Sequence, residues 1–175
     1  MIICYNKLME NLNNDYRSQL IAKNIEYYGP RFAKFDEEGK KTSWNWFAFL
    51  VPFCWFAYRK MYAECIAYYV ITTGLHTAIN EILASIGHFT DVGWTIDVVF
   101  MFLSGIYGNW LYKNKIDKNV ERCIRLPEDK RGKYIKRWGG TSVLAIIIAF
   151  CITIGFAAVL YYTLGFTGAA SAPVE

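Results

Sequence analysis

The sequence predicts an all-α integral membrane protein, with three transmembrane helices preceded by an aromatic segment that a proline breaks. Three observations predict it. Three stretches are apolar enough to cover ~30 Å of hydrocarbon, which takes about 20 residues. Charge is segregated: residues 1–60 hold nine Lys/Arg and six Asp/Glu, 61–112 none and four, 113–138 ten and four, and 139–175 none and one. Residues 43–60, SWNWFAFLVPFCWFAYRK, are almost wholly apolar and aromatic, are interrupted by Pro52 and end on Arg59-Lys60. The net charge of +4 hides this block pattern, which a soluble surface with interspersed signs would not show.

The elements follow in order. Residues 1–42 read as a cytoplasmic, amphipathic N-terminal region, because Ile2, Tyr5, Leu8, Leu12, Tyr16 and Leu20 recur at three- and four-residue steps. No secretory signal fits there, since no long apolar core forms before polar residues intervene. Residues 43–60 are too short before their charges for an ordinary span. Two arrangements answer: a re-entrant pair of half-helices meeting at Pro52, or a kinked helix lying flat in the interface. Trp44, Trp46, Trp55 and Tyr58 are the amphipathic rings expected at headgroup level.

Residues 61–112 form a transmembrane hairpin, with spans at 61–86 and 92–112 and a short connection at 87–91. Residues 113–138 are a basic cytoplasmic loop, in which Ile116, Val120 and Ile124 predict that the second span continues as an amphipathic helix before Pro127. The third span occupies 139–166, and its core has no charge. Residues 167–175, rich in Gly, Ala and Ser, are expected to be a disordered external tail. The Lys/Arg bias places the N-terminus in the cytoplasm and the C-terminus outside. A fourth span at 43–60 would invert every later segment against that bias.

The motifs Asn45-Trp46, Pro52-Phe53-x-Trp55 and Tyr58-Arg59-Lys60-Met61-Tyr62 resemble the signature of a domain-of-unknown-function family of small bacterial inner-membrane proteins. Tyr27-Tyr28 and Phe32-x-x-Phe35 resemble its lead-in, and Gly108-Asn109-x-x-Tyr112 its second landmark. The likeness covers roughly residues 25–125 and departs at Val51, where the family favours glycine. It implies architecture and a place in the bacterial inner membrane, and no reaction.

Two groups of candidate site residues emerge. Asn45, Trp46, Pro52, Trp55, Arg59 and Lys60 would set the depth of the aromatic segment and meet lipid or a partner protein. Glu81, Asp97 and His76 are ionisable groups inside the spans, where such groups are functional candidates by default. Equal counts of residues from the connection place Glu81 and Asp97 at similar depth, where two acids could share a proton or cation. The plainer reading is hydrogen bonding near the outer headgroups. Ser104-x-x-x-Gly108 and Gly74-x-x-x-Ala78 have the spacing of close helix packing, within one chain or between copies.

The function expected is therefore non-catalytic: an accessory, scaffold or stress-related membrane component. A small oligomeric pore or transporter is the alternative. Expected partners are anionic lipids, met by the basic loop, and other membrane proteins or a second copy. No nucleic acid, cofactor or metal is expected, because five scattered cysteines and His76 and His88 make no ligand pattern. Phosphate loops, nucleophile elbows and zinc-helix motifs are absent from the sequence.

Overall fold

The computed structural model describes residues 2–88, 93–160 and 162, with backbone alone for 2–10, 156, 157 and 160. Part of the predicted connection, the far end of the third predicted span and the tail at 167–175 lie outside the described residues. Within them the protein is all α, in eight helices: α1 Ile2–Ile21, α2 Ile25–Glu38, α3 Trp46–Leu50, α4 Pro52–Tyr58, α5 Tyr62–Ser85, α6 Gly93–Arg125, α7 Glu128–Trp138 and α8 Val143–Leu160.

The spine is α6, which runs 33 residues without interruption. One stripe of it is buried at Gly105, Gly108, Asn109, Tyr112, Ile116, Asn119, Val120 and Cys123. These positions advance by three and four, so they share a face over the whole length. The basic stretch is therefore no loop: α6 carries its buried face straight through it, and α1, α2 and α7 pack there. Each fully buried apolar side chain contributes about 1.5–3 kcal/mol.

Between α1 and α2 the chain turns through two left-handed residues, Ala22 and Asn24. Helix α2 buries Tyr28, Phe32 and Phe35 and stops at Gly39, whose φ of 64° suits glycine and whose N–H reaches Phe35 O. The rings of Tyr28 and Phe32 lie 5.0 and 5.8 Å from that of Tyr112. A ring of ions closes the same end. Arg17 of α1 contacts Asp36 and Asp117 at 2.9 and 2.8 Å, and Lys113 contacts both acids at 2.6 Å. Burial alone would raise the Asp36 carboxyl, but hydrogen bonds from Lys113 and Arg17 outweigh it and hold it below the usual range.

Residues 43–60 fold as a helix–break–helix. Helix α3 ends at Val51 (φ −140°, ψ 64°) and α4 begins on Pro52 at its first turn. Proline fits there because its missing N–H would have had no partner inside the helix. The inbound leg hydrogen-bonds from Ser43 N to Ile106 O and from Asn45 N to Gly105 O. Its tip reaches Phe102, with the Phe49 ring 4.9 Å away, and the outbound leg climbs to Tyr112 at Trp55. The hairpin so formed covers α6 from Phe102 to Tyr112, ~15 Å at 1.5 Å per residue.

Helix α5 runs antiparallel beside the first half of α6. The His76 ring lies against the backbone of Gly93, and the Tyr68 ring lies 6.1 Å from Phe100. Helix α8 packs on α4, with Phe150 6.5 Å from Phe53.

Among the described residues no single helix is long and apolar enough to cross a membrane. One bent pair, Glu128–Trp138 with Val143–Gly155, passes by length and composition with a 51° bend, although its first arm is highly charged.

The two small-residue motifs divide. A Cβ on Gly108 would stand 2.9 Å from Ala48 Cβ, and one on Gly105 2.9 Å from Phe49 Cβ, so that face is already filled by α3. Nothing lies within 4 Å of a Cβ on Gly74. Gly108→Ala is expected to destabilise the fold by about 1–3 kcal/mol through overpacking, whereas Gly74→Ala is neutral or stabilising by up to ~1 kcal/mol. Thermal unfolding of both variants checks this, and equal effects would contradict the docking of α3.

Candidate functional site

The residues that stand out in the sequence meet at one place: the seam between the aromatic hairpin and α6. Asn45 organises it. Its Oδ1 accepts from the backbone N–H groups of Phe47 and Ala48, both at 3.1 Å, and so caps α3. Its Nδ2 donates to Asn109 Oδ1 at 2.8 Å, inside the protein, with Asn45 only 2% exposed. Asn109 Nδ2 in turn donates to Ser43 Oγ at 3.1 Å and, at 3.4 Å, to Tyr27 Oη and Trp44 O. Tyr27 Oη donates to Trp44 O at 3.1 Å. The two amides thus satisfy each other and fix the inbound leg from both sides.

Trp55 covers Gly108: a Cβ there would meet its ring at 3.4 Å. Pro52 and Trp55 are both buried, so they shape the hairpin from within. Trp46 differs, at 63% exposed, and with Phe47, Leu50 and Val51 it forms the exposed apolar tip.

Arg59 is 1% exposed, so it is an interior group rather than a cation at a headgroup surface. Its guanidinium carbon stands 4.4 Å from the Tyr28 ring centroid and 5.0 Å from that of Tyr112. Its Nη1 donates to Lys23 O at 3.2 Å and to Tyr112 Oη at 3.4 Å, while its Nε has no hydrogen-bond partner. The π faces and one carbonyl compensate much of the lost hydration, since cation–π contacts strengthen when desolvated.

Lys60 adopts a left-handed φ of 56° and turns its Nζ onto Gly139 O at 2.6 Å, Arg137 O at 3.1 Å and Lys136 O at 3.4 Å. These carbonyls lie at the C-terminal end of α7, where a cation is favoured. Lys115 Nζ donates to Arg59 O. Burial, with repulsion from Lys60 and Arg59, outweighs the attraction of Glu64 and pushes its ammonium down to about 8.

The second sequence group does not assemble. The register set by His76 on Gly93 and Tyr68 by Phe100 places Asp97 opposite residues 71–73. Glu81 lies five residues beyond His76 in the other direction, so the acids are separated by about nine residues, or ~13 Å along the helices. The expectation of similar depth fails because α5 runs on to Ser85, past the level of Gly93, which lies against His76. Both acids are exposed. Among the described residues no group of three His, Cys, Asp or Glu is placed to hold a metal ion.

Sequence reasoning separated the two landmarks without seeing that they touch. Asn109, an amide inside an apolar segment, was the available signal. The ion ring had a weaker one, Lys113 and Asp117 four apart on a helix.

A family profile described as "Protein of unknown function (DUF2628)" matches residues 14–118. The chain belongs to this family. The match takes in the last eight residues of α1, all of α2 to α5 and α6 as far as Lys118, and so includes both halves of the seam. No curated protein and no solved structure matches the chain.

The cation cluster gives DUF2628 residue Lys115 a measurable signature. Its folded pKa, about 8, lies below the ordinary lysine value of 10.5, so the unfolded chain binds more protons between those limits. Lys115 therefore contributes stability that grows as pH increases from 8 to 10. In pH-dependent unfolding experiments the stability of Lys115→Met relative to the wild type should fall between pH 8 and 10, and a constant difference would contradict the assignment.

Proposed function

We propose that this DUF2628 protein is a non-catalytic component of a bacterial inner membrane, an accessory or scaffold that acts through lipid and protein contacts. In this reading α5, the first half of α6 and α8 are embedded and the α3–α4 hairpin is re-entrant. The N-terminal helices, α7 and the basic end of α6 form a cytoplasmic cap.

One observation carries the reading: among the described residues the large exposed apolar side chains, Ile25 aside, concentrate on the α3–α4 hairpin, α5, the first half of α6 and α8. They include Ile66, Val70 and Leu75 on α5, Val99, Phe102 and Leu103 on α6, and Leu144, Ile148 and Ile152 on α8. Helix α8 is apolar on all sides and exposed on most of them. Such a helix needs either a core or a bilayer around it. The 24 residues of α5 give ~36 Å, long enough for a span. What α5 and α6 lack in hydropathy comes from groups such as Thr72, Ser104 and Asn109, which are buried within the fold.

The cations separate in the same sense, and Lys118, Arg122, Arg125, Lys130 and Lys133 remain exposed on the proposed cytoplasmic side, suited to anionic lipid. Trp138, at the foot of α8, suits the interface between these regions. The non-catalytic part rests on the fate of the signature residues. Asn45, Arg59 and Lys60 are each engaged in holding the fold, and Trp46 is left as the outward contact.

Photo-crosslinking residues at positions 46, 118 and 148, introduced singly in cells of the native host, test this. Lipid adducts are expected at 46 and 148 and none at 118, with one reproducible protein adduct at 46. Absence of lipid adducts at 148 would refute the embedding, and self-adducts alone at 46 would replace the accessory role with a stand-alone oligomer.

A further inference from the structure

A cleft of about 410 Å³ lies where α2 gives way to the inbound leg, lined by Arg31, Lys34, Phe35, Lys40, Thr42 and Ser43. Three cations and two hydroxyls around one cavity are the donor set for a phosphate group. Arg31 is held in place. Its Nη1 donates to Tyr27 O at 2.8 Å, and its guanidinium carbon stacks 3.6 Å over the Tyr27 ring. Tyr27 is itself fixed by its bond to Trp44 O, so the cleft is oriented by the same network that seats the hairpin. Ser43 is fixed likewise, with its Oγ accepting from Asn109.

A carboxylate lies beside the cleft without lining it. Glu38 reaches Lys40 at 2.7 Å and Lys34 at 3.6 Å from a solvent-facing position. Three cations against that one acid leave an excess of positive charge which an incoming anion can exploit. Glu38 would compete with that anion.

We infer that this cleft binds a phosphate-bearing anion, and that its source is the headgroup of an anionic phospholipid. The lipid source rests on the proposed embedding. It is favoured because the exposed apolar tip beginning at Trp46 lies three residues past Ser43, where acyl chains would run. A soluble phosphate has the same headgroup chemistry without that requirement.

Native mass spectrometry of the full chain in an uncharged detergent separates these cases, with phosphatidylglycerol, phosphatidylcholine and inorganic phosphate as probes. Lys34 and Lys40 are each 64% exposed, so their variants leave the core intact. Lys34→Gln and Lys40→Gln should each weaken phosphatidylglycerol binding about five-fold and leave phosphatidylcholine unchanged. Glu38→Gln should strengthen it. Unaltered phosphatidylglycerol binding in the Lys34→Gln/Lys40→Gln double variant would overturn the site. Lysine-dependent binding of inorganic phosphate with equal or greater affinity would keep the site and overturn the lipid source. Flotation of the wild type with phosphatidylcholine vesicles reports on embedding by itself, so its failure is distinguishable from failure of the cleft.

Discussion

The hydrogen bond between the side chains of Asn45 and Asn109 is the constraint on which the rest of this structure depends. Both amides are buried, so each needs the other: a lost partner would leave a desolvated polar group at a cost of about 1–3 kcal/mol. Because Asn45 also caps α3, the same side chain sets where that helix begins and which face of α6 it meets. The face it meets is the one where Gly105 and Gly108 leave room. With the inbound leg fixed, Pro52 turns the chain back and α4 returns along α6 to Tyr112. Helix α8 packs on α4, so its position also follows from that contact.

The charged side chains have unlike fates, and the fates explain the architecture. Arg59 enters the interior against tyrosine rings, Lys60 closes the end of α7, and Lys113 joins a four-membered ring with Arg17, Asp36 and Asp117. These bonds tie α1, α2, α4 and α7 to one end of α6. The outer surfaces of the opposite part of the molecule are largely apolar. One helix therefore joins the two parts, with Tyr112 at the changeover.

Much of the helical order was legible in the sequence. The four-residue recurrence of Ile116, Val120 and Ile124 predicts that α6 continues past the apolar segment, and Pro52 marks the break between α3 and α4. Periodicity could not tell inward from outward aromatics in the hairpin. Trp46 and Trp55 have similar neighbours, and only the docked glycine face assigns one to the surface and the other to the interior. Arg59 was unreadable for the same reason, because the rings that receive it come from α2 and α6, 31 and 53 residues away in the chain. The offset of the α5–α6 hairpin was hidden as well, since residue counts do not reveal that α5 runs on past the level of Gly93.

The most direct test of this account is a double-mutant cycle on Asn45→Ala and Asn109→Ala, followed by unfolding of the purified chain. A buried bond shared by the two amides predicts that the double variant loses less stability than the sum of the single losses, with a coupling of about 1–2 kcal/mol. Strict additivity, within ~0.5 kcal/mol, would mean that the amides act independently. The aromatic hairpin would then have to be held on α6 by some other contact.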